Sequence, residues 1–360
     1  MKKEKVMVAM SGGVDSAVCA FLLRQDGYDP EGITLRLWSE TEPVSDCKRI
    51  APDQNILDAQ AVAQHLGIPH GSAGLGDTFR KTVVEPFMEA YAKGMTPNPC
   101  VECNRCVKFG ALLSMARSLG FPYLATGHYA RIEKDEKGEL LLKRGADSAK
   151  DQSYFLWPIK KEDFPFLLFP LGKYTKEQVR RIAREQDIPV AHRSDSQDIC
   201  FVPNGDYASF IDRHSDLVFP SGDFVSPEGA ILGRHSGLIH YTIGQRKGLG
   251  ISLGHPAFVG KISPSDNTVT LMSDQELYTD RLTASRVNFL RSIDPSVGSL
   301  RVTAKIRYRH TPAPATVIRL EDDRVSVTFD EPQRAISPGQ SVVFYDEDIV
   351  LGGGIIDPLP

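Results

Sequence analysis

Apolar positions along the chain fall into distinct regimes. In the first half, short apolar runs alternate with segments of helical spacing. Val6-Met7-Val8-Ala9-Met10 reads as a strand. Val14, Ala17, Val18, Phe21 and Leu22 follow at i, i+3, i+4, i+7 and i+8, which predicts a helix closed by Gly27. Ile33 to Trp38 is a second β-rich run, and a helix through Ile56, Leu57, Ala61 and Leu66 stops at Gly67-Ile68-Pro69. Phe79, Val83, Phe87 and Tyr91 predict another helix ending near Gly94. The loop Met95-Thr96-Pro97-Asn98-Pro99 leads to a helix through Phe109, Leu112, Leu113, Ala116 and Leu119, and Tyr123 to Thr126 reads as a buried strand. A turn at Asp135 to Gly138 predicts a charged hairpin, and Thr175-Lys176-Glu177-Gln178 reads as a capping box.

From about Pro203 the helical signal largely disappears. Repeated glycines from Gly222 to Gly260 punctuate a small β-rich module. Beyond Tyr278, Val302 to Arg309, Thr316 to Leu320, Arg324 to Phe329 and Ser341 to Tyr345 alternate like antiparallel strands. The expected architecture is an α/β doubly wound parallel sheet over 1–203, a small β-rich central domain over 204–277 and a C-terminal antiparallel β-barrel over 278–360.

Composition narrows the class. Among 360 residues, 41% are hydrophobic and 24% charged, as in ordinary globular proteins. No apolar run approaches the length of about 20 residues needed to cross a bilayer, and no signal-peptide core follows Met1. A cytoplasmic location without membrane contact is the expectation. With a net charge of −4, a nucleic-acid partner must be held by a local basic face rather than by the overall field.

The hexapeptide Ser11-Gly12-Gly13-Val14-Asp15-Ser16 lies between the first strand and the first helix. Two glycines allow a tight turn, and the helix N-terminus then faces an anion with free N–H groups. Neither the Walker pattern nor the dinucleotide fingerprint is present. The six cysteines suit redox or metal chemistry more than structural disulfides. Cys19 reads as a core residue and Cys47 is uninformative, whereas Cys100, Cys103 and Cys106 form a C-x2-C-x2-C cluster and Cys200 stands alone. The polar neighbours Glu102, Asn104 and Arg105 argue against an inert, buried Cys103. The cluster spacing is compatible with metal ligation or with sulfur chemistry between Cys103 and Cys200.

Ser11 to Ser16 resembles the phosphate loop of the ATP pyrophosphatase (PP-loop) enzymes. Taken with Thr96-Pro97-Asn98-Pro99 and Cys103-Asn104, Ala125 to Tyr129, Asp151 to Leu156, Ser196 to Phe201, Thr242 to Gly250, Arg307-Tyr308-Arg309 and Pro338-Gly339-Gln340, it resembles, in order, the motifs of the tRNA-specific 2-thiouridylase family. That resemblance implies a tRNA-uridine 2-sulfurtransferase: ATP, with Mg²⁺, adenylates the carbonyl oxygen at position 2 of the wobble uracil, and sulfur then replaces it. It implies ATP binding by Ala9, Met10, Ser11, Gly12, Gly13, Val14, Asp15, Ser16, Leu35 and Gly127, with Asp15 acting at the pyrophosphate and metal. Cys200 would carry the persulfide. Cys103 would complete transfer and close a disulfide with Cys200. Asn98, Pro99, Cys100, His128, Lys150, Asp151, Gln152, Arg307, Tyr308 and Gln340 would meet tRNA. The implied partners are wobble-uridine tRNAs, such as those for Lys, Glu and Gln, and a persulfide sulfur-donor protein, with a monomeric enzyme.

One departure keeps a second mechanism open. Many relatives have aspartate where this chain has Cys100, so Cys100, Cys103 and Cys200 could hold a [4Fe-4S] cluster with one open iron. Two rival functions also remain. Another PP-loop enzyme, such as an amidating synthetase or a lysidine-forming tRNA ligase, would need no paired cysteines. A non-enzymatic iron–sulfur or zinc RNA-binding module would ignore ATP. In Lys305 to Arg309, alternation on a strand would put Arg307 and Arg309 on one face suited to phosphates, although a solvated face is the usual fate of such a run. Gln245-Arg246-Lys247-Gly248 carries the same two readings.

Overall fold

The computed structural model describes residues 3–38, 53–194, 199–291 and 298–359. Cys47 and the Ser196-Gln197-Asp198 part of one motif lie outside the described residues. Spatial grouping divides the chain into two units. One comprises Met1–Val83, Cys100–Gln197 and Asp348–Val350; the other comprises Val84–Pro99, Asp198–Glu347 and Leu351–Pro360.

The first unit is built on a parallel sheet in the spatial order His70–Gly74, Asp29–Arg36, Lys5–Ala9, Tyr123–Ala125, Leu167–Leu168. Lys5–Ala9 is central, with Val8 opposite both Gly32 and Ala125. Its apolar run is explained by burial on both faces: Val6 and Val8 are fully buried and Met7 nearly so. The chain runs first to Asp29–Arg36 on one side of this strand and much later to Tyr123–Ala125 on the other. The carboxyl end of Lys5–Ala9 is therefore a topological switch point, where open α/β sheets leave a crevice for ligands. Helix Val14–Gln25 packs Ala17, Val18 and Leu22 into a core shared with Val62 and Leu66 of Gln54–Leu66 and with Val179 and Ala183 of Lys176–Glu185. The hairpin forms as predicted, Ala130–Lys134 against Leu140–Arg144, with Gly138 at φ +80° in its turn.

In the second unit, Gly222–Val225, Ile231–His235, Phe258–Ser263 and Thr268–Met272 form one sheet around Phe224, Tyr241, Val259 and Val269. Helical structure persists here beyond its expected end at Pro203. Tyr207–His214 is an α-helix capped by Asp206, whose carboxylate accepts from the Ser209 N–H at 3.1 Å. Its eight residues are too few to establish a clear 3.6-residue period, so its cap was the available signal. The C-terminal strands Tyr278–Phe289, Val325–Arg334, Ala313–Arg319, Leu300–Lys305, Ser341–Asp346 and Ile349–Ile356 follow one another in space. Pairing of Tyr278–Phe289 with Ile349–Ile356 closes the barrel.

Candidate active site

The Ser11–Ser16 loop leaves the sheet at the switch point and enters helix Val14–Gln25 directly. Gly12 has φ +71°, and a Cβ there would lie 2.6 Å from the Asn55 carbonyl oxygen, so both the backbone angle and the space demand glycine. Gly13 is the N-cap and has no side chain to close the helix end. The hydroxyl of Ser16 ties the loop internally: it donates to the Gly13 carbonyl at 3.0 Å and accepts from the Ser11 N–H at 3.1 Å. The result is a fixed turn with helix N–H groups at its mouth, a geometry suited to phosphate.

Tertiary structure adds groups that sequence reasoning did not assign. Asp15 Oδ1 accepts from Lys176 Nζ and from the Tyr129 hydroxyl, each at 2.7 Å. Arg193 donates to the Gly12 carbonyl at 2.9 Å and to Asn55 Oδ1 at 2.7 Å, and pairs with Asp58. A buried ammonium and a guanidinium thus lie against the two ends of the glycine loop. Lys176 is the first residue of helix Lys176–Glu185, behind the capping box in which Thr175 Oγ1 accepts from the Gln178 N–H at 3.2 Å. A lysine in a first helical turn opposes the helix dipole. That mismatch was the signal available in the sequence; Arg193 offered none.

Other expected nucleotide contacts occupy the same sheet edge. Ala9 ends the central strand, Met10 is buried behind the loop, and half-buried Leu35 lies near the end of Asp29–Arg36. Gly127 approaches the loop so closely that a Cβ would meet Asp15 and Ser16 backbone atoms at 3.0–3.1 Å. His128 beside it is buried between Phe109 and Phe169, and its Nδ1 lies 2.6 Å from Thr126 Oγ1. Burial, with Lys108 nearby, holds its pKa well below the ordinary imidazole value. Asp151 is buried and accepts from the Gly145 and Ser153 N–H groups, each at 3.1 Å. Gln152 Oε1 accepts from the Tyr129 N–H at 3.0 Å, while its own N–H donates to the Tyr129 carbonyl. These residues brace Tyr129, whose hydroxyl reaches Asp15. Lys150, half-buried, precedes them.

The cysteine segment is helical from its start rather than a loop. Pro99–Glu102 forms a first turn, with Pro99 at a position where its missing N–H costs nothing. Cys103–Leu112 then coils more widely, as a π-helix, before Leu113–Ser118. Gly110 accommodates this coil, since a Cβ there would lie 2.9 Å from the Arg105 carbonyl oxygen. Cys100 is exposed, Cys106 half-exposed, and Cys103 only 8% exposed. The polar neighbours do not make Cys103 a surface residue. Asn104 turns inward and donates to the Phe155 carbonyl at 3.0 Å, and Glu102 pairs with Arg105 at 2.7 Å. Cys19 is a core residue, as expected. In the second unit Cys200 is exposed on a turn closed by the Val202 N–H to the Ile199 carbonyl. Phe201 anchors that turn, packing edge-on against Phe87 and Phe210 with centroids 5.3 Å away from each.

The basic strand face is not formed. Strand Leu300–Lys305 ends before Arg307, and a turn with the His310 N–H on the Arg307 carbonyl follows. Arg307 is half-buried and donates to the Arg334 carbonyl at 3.1 Å, whereas Arg309 is exposed. A turn has no two-residue alternation, so the shared face assumed for Arg307 and Arg309 does not arise. Tyr308 receives Lys305 Nζ 5.5 Å from its ring centre. Arg246 and Lys247 are exposed on their glycine-rich loop. Asn98 is half-buried and Pro99 buried. Gln340 lies in the turn before Ser341–Asp346, where its amide donates to the Thr96 carbonyl at 2.8 Å. Among the described residues, no three His, Cys, Asp or Glu side chains are gathered to hold a metal ion. The cluster mechanism gains no support from this donor set.

Residues 4–204 match the family described as tRNA methyl transferase HUP domain, residues 208–273 the tRNA methyl transferase PRC-barrel domain, and residues 279–356 the aminomethyltransferase beta-barrel domain. The tRNA-specific 2-thiouridylase MnmA of Acetivibrio thermocellus is 49% identical over 99% of this chain and 100% of its own length. That of Clostridioides difficile is 47% identical over 98% of each. The U34-tRNA thiolase NcsA of Methanococcus maripaludis is a solved structure at 18% identity and TM-score 0.34, covering 60% of this chain and 66% of that one, and that likeness carries no argument. Near-complete coverage at almost half identity leaves one conclusion: the chain belongs to the tRNA-specific 2-thiouridylase family.

Proposed function

We propose that this protein is an ATP-dependent tRNA-uridine 2-sulfurtransferase. The observation that carries the reading is the Gly12–Gly13 cradle at the switch point of the parallel sheet, with Asp15 and Lys176 at its mouth. A triphosphate seated there would find helix N–H groups and the Lys176 ammonium against its oxygens. The uracil O2 attacks the α-phosphorus and pyrophosphate leaves, so that a poor leaving oxygen becomes part of AMP. Lys176 opposes the negative charge on the departing pyrophosphate, and Tyr129 holds the Asp15 carboxylate in place. Mg²⁺ would enter with the nucleotide. The residues fit that role, since one carboxylate at a phosphate loop, completed by phosphate oxygens and water, is ordinary Mg²⁺ ligation.

Sulfur then displaces AMP. The outer sulfur of a Cys200 persulfide attacks C2, and the C2–O bond breaks with its electron pair leaving on AMP. Attack of the Cys103 thiolate on the inner sulfur forms the Cys103–Cys200 disulfide and releases the sulfur bound to C2. Two external thiols, the first forming a mixed disulfide and the second resolving it, restore both cysteines and leave as a disulfide. Exposure of Cys200 on a turn pinned by Phe201 supports its loading by a persulfide donor protein. Burial of Cys103 suits a thiol shielded from adventitious oxidation until substrate arrives. The three-part division 1–203, 204–277 and 278–360 assigns nucleotide chemistry to the first part and tRNA contacts chiefly to the last. Wobble-uridine tRNAs for Lys, Glu and Gln are the substrates of this reading, with a monomeric, cytoplasmic enzyme; no described helix is long and apolar enough to cross a membrane. Asn98, Pro99, Cys100, Lys150, Tyr308 and Arg309 remain the proposed RNA contacts. His128, Asp151, Gln152 and Arg307 are assigned instead to supporting the fold around them.

Nucleoside analysis of tRNA after reaction with persulfide donor and ATP tests this function. Cys200→Ser should fail to load sulfur. Cys103→Ser should load sulfur without releasing thiolated tRNA, and Cys100→Ser should retain activity. Full 2-thiolation by the Cys103/Cys200 double variant would overturn the mechanism and return the chain to the wider PP-loop class.

A further inference from the structure

The loop that carries Asn98 lies in the second unit, and its root is held there by the C-terminal barrel. The Thr96 N–H donates to the Pro338 carbonyl at 2.8 Å, and Gln340 Nε2 donates to the Thr96 carbonyl at 2.8 Å. Both backbone groups of one residue are therefore taken by a single turn, Pro338-Gly339-Gln340. Gly339, at φ +88°, lies so close that a Cβ would meet Met95 Cβ at 3.0 Å and Thr96 backbone atoms at 3.1 Å. The turn is itself rigid. The Gly339 N–H donates to the Ile356 carbonyl, and the Ile356 N–H donates to the Gln340 carbonyl at 2.8 Å, fixing it to the last strand. The residue before Met95 is confined as well, since a Cβ on Gly94 would meet Ile262 at 3.0 Å and Pro264 at 3.2 Å.

We infer that Gln340 is a positioning residue: its amide, with the Pro338 carbonyl, clamps Thr96 and so sets the loop that presents Asn98. This inference rests on the function proposed above and changes the role given to Gln340, from RNA ligand to clamp. The chemistry is selective. Only a side chain that donates can satisfy the Thr96 carbonyl, because an ionised glutamate at position 340 would face that oxygen with acceptors alone. Neutral hydrogen bonds contribute about 0.5–1.5 kcal/mol net, which corresponds to roughly 2- to 13-fold in a rate set by loop geometry.

The test compares Gln340→Ala and Gln340→Glu with the parent in two measurements. Amide hydrogen exchange of the whole protein, without ATP or tRNA, should show faster exchange at Thr96 in both variants; an unchanged Thr96 amide overturns the clamp whatever reaction the enzyme performs. Single-turnover thiolation at saturating tRNA should fall several-fold in both, with tRNA affinity within about twofold of the parent. Weakened tRNA binding with an unchanged single-turnover rate would make Gln340 an RNA contact and overturn the inference. Gly339→Ala guards against a folding artefact: it keeps the Gln340 amide but presses a methyl on Thr96, and should give the same kinetic split. Normal AMP formation in a Gly339→Ala protein with faster Thr96 exchange would uncouple the loop from catalysis and sink the proposal.

Discussion

Asp15 and Lys176 are expected to respond unequally to mutation, because their burial differs. Asp15 Oδ1 and Lys176 Nζ are 2.7 Å apart, with the lysine side chain 11% exposed and the aspartate 35% exposed. Breaking a fully buried pair by removing one partner costs about 3–5 kcal/mol, since the survivor is left as an unpaired buried charge. In Asp15→Asn the survivor is the more buried ammonium. Water reaching the site through the aspartate side reduces the penalty to about 1–3 kcal/mol. In Lys176→Met the survivor is a carboxylate that keeps water on one side and the Tyr129 hydroxyl at 2.7 Å on the other, so the cost should stay below about 1 kcal/mol. Catalysis should feel the loss of Lys176 far more than stability does. A charge-assisted contact to a phosphate oxygen contributes about 1.5–3 kcal/mol, so Lys176→Met should slow AMP formation by about 10- to 150-fold. Urea unfolding and tRNA-dependent AMP release, both at fixed salt, measure the two quantities. A Lys176→Met enzyme within twofold of the parent in AMP release, yet less stable than Asp15→Asn, would refute the reasoning and leave the pair as a structural bridge.

Two further outcomes follow from particular side chains. The buried His128, flanked by Thr126, Phe109, Phe169 and Lys108, has its folded pKa held well below the ordinary imidazole value, chiefly by burial, so the unfolded chain binds the proton more readily. Stability should be full above about pH 6.5 and fall below it, by up to about 1.4 kcal/mol per pH unit for one proton, until the folded pKa is reached. His128→Gln should flatten that acid limb, and an unaltered slope in urea unfolding from pH 7 to 5 would count against it. For RNA binding, Arg309→Ala should reduce the slope of log affinity against log salt by about one if the exposed guanidinium meets a phosphate. Arg307→Ala should instead lower stability with little change in slope, because Arg307 holds the Arg334 carbonyl; a loss of slope on that substitution would restore it to the RNA face.

Local pattern was enough to identify every part of the nucleotide cradle that depends on nearest neighbours. An unbroken apolar run makes the central strand Lys5–Ala9, paired glycines make the turn, and the 3.6-residue period of Val14 to Leu22 makes the helix. The hairpin at Asp135 and the capping box at Thr175 were legible for the same reason, since turn chemistry and caps are decided within a few residues. The sequence also carried ordered motifs that matched a family, and with them the chemistry. Tertiary structure alone decided what comes together across long separations. Lys176 reaches Asp15 across 161 positions and Gln340 reaches Thr96 across 244, and neither pairing leaves a periodic trace because each depends on sheet order and barrel closure. It also reversed local expectations where packing outweighed polarity. Asn104 is buried with its Nδ2 donating to the Phe155 carbonyl while its Oδ1 finds no hydrogen-bond partner among the described residues, and Arg307 leaves its supposed strand face because the strand stops at Lys305. Propensity fixes which residues can form an element; long-range hydrogen bonding and burial fix where its side chains are spent.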